Sequence, residues 1–164
     1  MNRSDTAATQ AFAQELGRFV SQSPSSFHAA ATVKASLIDQ GFLELDESEA
    51  WTSVTAGGRY VVTRDGSVIA FVVPDTAVST TALRIFGAHT DSPALKLKPK
   101  SSITSHGFNQ VGVEVYGGAL FNSFLDRDLK LAGRIVLMDG EEVLVHTGPV
   151  SYTHLRAHET PEHL

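Results

Sequence analysis

The sequence predicts an α/β fold that passes into a β-rich second half, on three observations. Two amphipathic helical patterns open the chain. An apolar segment, Leu83-Arg84-Ile85-Phe86-Gly87-Ala88, then runs directly into His89-Thr90-Asp91. From Lys100 onward the texture changes to short pieces that alternate with period two, separated by glycine-containing turns.

Each element has a local cause. Ser4 or Asp5 suits the N-cap of a first helix whose apolar stripe is Phe12, Leu16, Phe19 and Val20. The stretch Ser23-Pro24-Ser25-Ser26 interrupts it. Ser25 or Ser26 then caps a second helix from about Phe27 to Gln40, with Phe27, Ala30, Val33, Leu37 and Ile38 facing inward and Gly41 as its stop. Phe12, Phe19 and Phe27 are expected in the core. Next, Tyr60–Thr63 and Val68–Val73 flank Asp65-Gly66, a pair that accepts the positive φ of a tight hairpin turn. Leu83–Phe86 reads as a strand entering a covered sheet, with Gly87-Ala88 allowing a second backbone to come close. Leu95-Lys96-Leu97-Lys98-Pro99 alternates as an edge strand does, lysines outward. Val111, Val113 and Val115 alternate in the same way. A last hairpin is expected where Ala132–Met138 and Val143–Val145 flank Asp139-Gly140-Glu141-Glu142.

His89 and Asp91 are the candidate site. Residues i and i+2 of an extended segment point to one side, so both emerge at the C-terminal edge of the expected strand, where open α/β sheets bind ligands. A neutral imidazole binds zinc through one nitrogen while a carboxylate on the other fixes its tautomer. Taken alone, the pair reads better as a surface His and Asp at an ordinary turn; the sequence around it reverses that preference in favour of the metal reading.

The bulk numbers narrow the classes. A chain of 164 residues is long enough for one domain with a core, and 42% hydrophobic with 19% charged residues is the composition of a globular protein. The net charge of −5 provides no field for nucleic acid or an acidic membrane, so neither is expected as a partner. No apolar run approaches a membrane span, the N-terminus lacks a signal-peptide core, and a cytoplasmic location is expected. With no cysteine, any transition metal must be held by His, Asp and Glu, which suits a catalytic site better than a structural one.

Five segments extend the reading: Phe19-Val20 through Ser23-Pro24-Ser25-Ser26-Phe27-His28; Gly57-Gly58-Arg59-Tyr60; Gly87-Ala88-His89-Thr90-Asp91-Ser92-Pro93; Gln110 through Gly118; and Asp126-Arg127-Asp128-Leu129-Lys130-Leu131-Ala132-Gly133-Arg134. In this order they resemble the M18 family of zinc aminopeptidases, the aspartyl aminopeptidase group, over roughly residues 12–150. The resemblance implies the front of an α/β/α metallopeptidase catalytic domain over residues 1–99. It further implies the start of a β-rich inserted oligomerisation domain over residues 100–150. His89 matches the first zinc-ligand position, and Asp91, the expected catalytic carboxylate, matches the neighbour that orients that imidazole. Also implied are two zinc ions per site, a peptide substrate with a preferentially acidic N-terminal residue, and a homo-oligomer. The remaining ligands and the general-base glutamate of the family lie beyond the matching stretch.

Other tempting groups have plainer readings. Glu141-Glu142 follows Asp139-Gly140 and reads as a solvated turn. Asp126-Arg127-Asp128 reads as an ion-paired structural knot, His28 as a helix-start residue that packs or hydrogen-bonds, and His106 and His146 as ordinary loop and strand-end residues. His154 and His158 are spaced as an i, i+4 metal pair, but residues 151–164 leave the resemblance abruptly. They read as a non-native tail, similar to an in-frame sequencing adapter, so the chain is expected to be an inactive fragment that folds poorly or aggregates. Two alternatives stand beside the aminopeptidase: a non-catalytic β-rich binding or oligomerisation module, and another dinuclear metallohydrolase with His-x-Asp after a strand.

Overall fold

The computed structural model describes residues 3–147 and 155–156. The chain falls into two units, Met1–Asp91 with Ala132–His146, and Ser92–Leu131 with Thr147–Leu164. The divide expected between residues 99 and 100 falls inside a continuous strand of the second unit, and residues 132–146 pack with the first.

In the first unit, helix α1 (Arg3–Gln22) and helix α2 (Ser26–Asp39) precede a three-stranded sheet. Ser25 is the N-cap of α2: its backbone is extended and its Oγ accepts from the His28 N–H, which satisfies one of the free donors of the first turn. The helix closes on Gln40, and Gly41 takes φ +85° to redirect the chain. Strand β1 (Leu43–Glu44) lies parallel to β2 (Arg59–Arg64), and β2 pairs antiparallel with β3 (Ser67–Val72) through the two-residue turn Asp65-Gly66, with Asp65 at φ +51°. This hairpin is the one expected from sequence.

The core of this unit sits on β2. Tyr60 and Val62 point to one face and gather Leu45, Val54, Phe71 and Val73. Trp51 stacks on Phe71 at 6.0 Å between ring centroids. The Tyr60 hydroxyl accepts from Thr55 N–H at 2.9 Å and donates to the Ser53 carbonyl at 3.1 Å, tying the connection 53–55 to the sheet. Val61 points to the opposite face and is completely buried (0%). On α2, which packs against β2 and β3, Ala29 and Ala30 are buried.

The hairpin of β7 (Ala132–Val136) and β8 (Glu142–His146) completes the first unit by packing β7 on α2. Its key side chain is Arg134, whose guanidinium lies 4.7 Å from the centre of the Phe27 ring. The same group reaches Asp65 Oδ1 at 2.7 Å and both Glu142 carboxylate oxygens at 2.9 Å. One residue thus joins β7, β8, the β2–β3 turn and the start of α2. A Cβ on Gly66 would run into the Ser26 hydroxyl, which explains glycine at the second turn position.

Three expectations are corrected here. The stripe on α1 is not buried: Phe12 is 70% exposed, and Leu16, Phe19 and Val20 are also open to solvent. Ile38 on α2 is likewise exposed, whereas Phe27, Val33 and Leu37 are half-buried. Residues 83–88 form no ladder; Leu83, Ile85 and Phe86 are 83%, 84% and 96% exposed, and apart from its own chain neighbours nothing stands within 4 Å of the place a Gly87 Cβ would occupy. The physical reason is common to all three. Periodicity marks which side chains favour burial, but a stripe or strand is covered only where another segment supplies the opposing surface.

In the second unit, β4 (Ala94–Ser105) and β5 (Phe108–Tyr116) form a long hairpin turned by His106-Gly107, both at positive φ. Of the lysine edge expected from sequence, Lys96 lies exposed opposite Glu114 and Leu95 is half-buried, but Leu97 is exposed as well, and the register shifts between Leu97 and Ser102. The valine alternation exists as a strand but buries no valine fully; Gly112 is the buried position, against Ile103. A 3-10 turn at Phe121–Ser123 leads to β6 (Asp128–Leu129), which pairs with β9 (Leu155–Arg156).

Candidate metal centre

His89 and Asp91 leave the exposed apolar segment just before Pro93. The His89 Nδ1 lies 3.0 Å from Asp91 Oδ1. The imidazole is 93% exposed, while the Asp91 carboxylate is about one-third open. A carboxylate at Nδ1 favours the tautomer that keeps the proton there and leaves the Nε2 lone pair as a metal donor. The donor chemistry therefore fits one zinc ligand: an accessible neutral imidazole with its second nitrogen held. Among the described residues no three His, Asp or Glu side chains stand together as a metal-binding group. The expected ligand and its orienting partner meet, and the described residues add no third metal donor to make a group with them.

The remaining sequence candidates separate. Glu141 lies in the turn, its N–H donating to Asp139 Oδ1, and Glu142 is committed to Arg134. Arg127 of the Asp126-Arg127-Asp128 stretch donates to the Ser123 carbonyl at 3.3 Å, and Asp126 takes φ +51°. His106 is a hairpin-turn residue beside the Ser105 hydroxyl. His154 and His158 lie outside the described residues.

One cluster escaped the sequence reading. His28 and His146 meet edge to face at 5.8 Å between ring centroids, with Ser25 Oγ 2.8 Å from His28 Nδ1. Partial burial, and secondarily His146, hold the His28 imidazole below its usual pKa. Nothing local foretells this contact, because 118 positions of chain separate the two residues and hairpin docking alone unites them.

A histidine whose second nitrogen is held by a carboxylate, on a mixed α/β unit, is a donor arrangement of the metal-dependent enzymes. Comparison narrows the class. The sequence profile of the family described as "Aminopeptidase I zinc metalloprotease (M18)" matches residues 19–150. The chain belongs to the M18 aminopeptidase family. It is 50% identical over 131 residues to a protein of Streptomyces coelicolor described as "Probable M18 family aminopeptidase 2", covering 80% of this chain and 30% of that one. Among solved structures it matches one in "Cryo-EM structure of the Ape4 and Nbr1 complex" with TM-score 0.79 and 36% identity, over 89% of this chain and 29% of the other. It matches "Structure of S. cerevesiae mApe1 dodecamer" with TM-score 0.78 and 28% identity, over 89% of this chain and 35% of that one. The chain thus spans about 30% of the length of the curated relative it matches. The α/β fold expected from sequence agrees with these structures.

Proposed function

We propose that this chain is part of an aminopeptidase that removes N-terminal, preferentially acidic, residues from peptides by dinuclear-zinc-assisted hydrolysis, and that it is inactive alone. The observation that carries the reading is the His89–Asp91 pair at 3.0 Å within the family-matched residues. His89 would hold one ion through Nε2, and Asp91 keeps the ring turned and the proton on Nδ1. When bound, the zinc pair supplies Lewis acidity for the scissile carbonyl and lowers the pKa of the attacking water. A dinuclear site needs several donors, including a bridging carboxylate, and the described residues contribute one. That shortfall supports inactivity of the chain by itself.

The same reading includes homo-oligomeric assembly through the β-rich part. Leu97, Ile103, Phe108, Val111 and Val113 of the β4–β5 hairpin are exposed, which supports coverage by further protein. The dodecamer described for S. cerevesiae mApe1 points the same way.

The test compares this chain with a chimera in which residues 19–150 replace the matching stretch of the Streptomyces coelicolor relative. Both receive zinc and peptides beginning with Asp, Glu or Leu. The chain should release no residue, and the chimera should cleave the acidic peptides faster and lose that activity on His89→Ala. Turnover by the chain alone defeats the inactivity, a preference for Leu defeats the acidic specificity, and an active His89→Ala chimera defeats the site.

A further inference from the structure

The contact between His28 and His146 joins the first turn of α2 to the end of β8. His28 occupies the third position of α2 after the Ser25 cap, in the first turn, where unsatisfied N–H groups and the helix dipole disfavour a cation. His146 is the last residue of β8 and meets it edge to face. We propose that the two histidines form a pH-sensitive latch: while neutral they seat the end of the β7–β8 hairpin on the start of α2, and mild acidification loosens that seat.

The surrounding charges do not rescue a protonated pair. Asp65 reaches this corner from the β2–β3 turn, Arg134 from β7 and Glu142 from β8. Both carboxylates are committed to the Arg134 guanidinium, which itself lies over Phe27, the residue next to His28. At the N-cap of α2 the Ser25 hydroxyl lies 2.8 Å from His28 Nδ1; it can donate to or accept from that nitrogen and so tolerates either protonation state. Two imidazolium rings in edge contact repel, and desolvation opposes the charge on His28 as well. The direction follows from linkage. A histidine that prefers to be neutral when folded contributes its full stabilisation above its unfolded value of 6.5, and loses it as the pH falls below that value.

The experiment is hydrogen exchange on this chain at about pH 7.5 and about pH 5.5 with a chelator present, corrected for intrinsic exchange rates. The β2 amides serve as an internal reference for the sheet. Protection of the β8 amides should fall severalfold relative to β2 on acidification, and His146→Gln should abolish most of that fall. A proton NMR titration supplies a second readout that needs no variant: the His28 ring should titrate below 6.5. Equal pH dependence in wild type and His146→Gln, or His28 titrating at the ordinary value, overturns the latch.

Discussion

The exposed segment before His89 permits a sharp test of how this chain behaves by itself. Leu83, Ile85 and Phe86 are 83%, 84% and 96% exposed. From these fractions the three side chains present roughly 400 Å² of apolar surface, as large as the biggest patch of an ordinary monomer. Removing it fully from water is worth about 10 kcal/mol as an upper bound, a strong drive to self-association. The triple substitution Leu83→Ser, Ile85→Ser, Phe86→Ser should therefore shift the chain from large species toward monomer in sedimentation velocity and reduce binding of an apolar dye. Because the side chains are so open, the fold of the first unit should not suffer. Fluorescence of Trp51, the sole tryptophan, stacked on Phe71, reports on that fold. If the segment were instead a buried strand in this chain, each truncation would cost about 2–5 kcal/mol and the Trp51 signal would collapse. Collapse, or unchanged self-association, would refute the reasoning.

Other expectations follow from the same geometry. Val61→Ala removes two methyl groups from a fully buried site and should cost about 2–3 kcal/mol in urea unfolding. Ile69→Ala, at a position 66% exposed in the same hairpin, should cost about 1 kcal/mol or less; equal losses would place the core elsewhere. At the metal site, nitrogen NMR should find His89 protonated at Nδ1, and Asp91→Ala should shift the ring toward the Nε2–H tautomer. A ring with the Nε2–H tautomer dominant in both proteins would mean that the Asp91 carboxylate does not orient it.

Much of the local architecture was legible because its causes are local. Asp65-Gly66 and Asp139-Gly140 mark their turns through backbone that accepts positive φ, seen at Asp65 and Gly140. Ser25 marks the start of α2 because a short side chain with an oxygen meets the free N–H groups there. His89 and Asp91 stand two residues apart and meet across a bend at Thr90, so the pairing was legible from spacing although the strand expected to present it does not form. The β4–β5 turn was missed because His106-Gly107 resembles a loop until the long strands on either side are seen to pair.

What the sequence by itself determined, then, is everything decided within a few residues: caps, tight turns, alternation, the histidine–carboxylate pair, and the motifs that carry the family likeness. Tertiary structure alone decided which apolar surfaces find a partner. The α1 stripe and the Leu83–Phe86 run have the same hydrophobic character as the β2 core and remain open, because burial depends on an opposing surface that no property of the segment itself can supply. It also decided that Arg134 gathers Phe27, Asp65 and Glu142, and that His146 meets His28. These contacts join residues far apart in the chain, and they form only once a hairpin docks on a helix and fixes their distance.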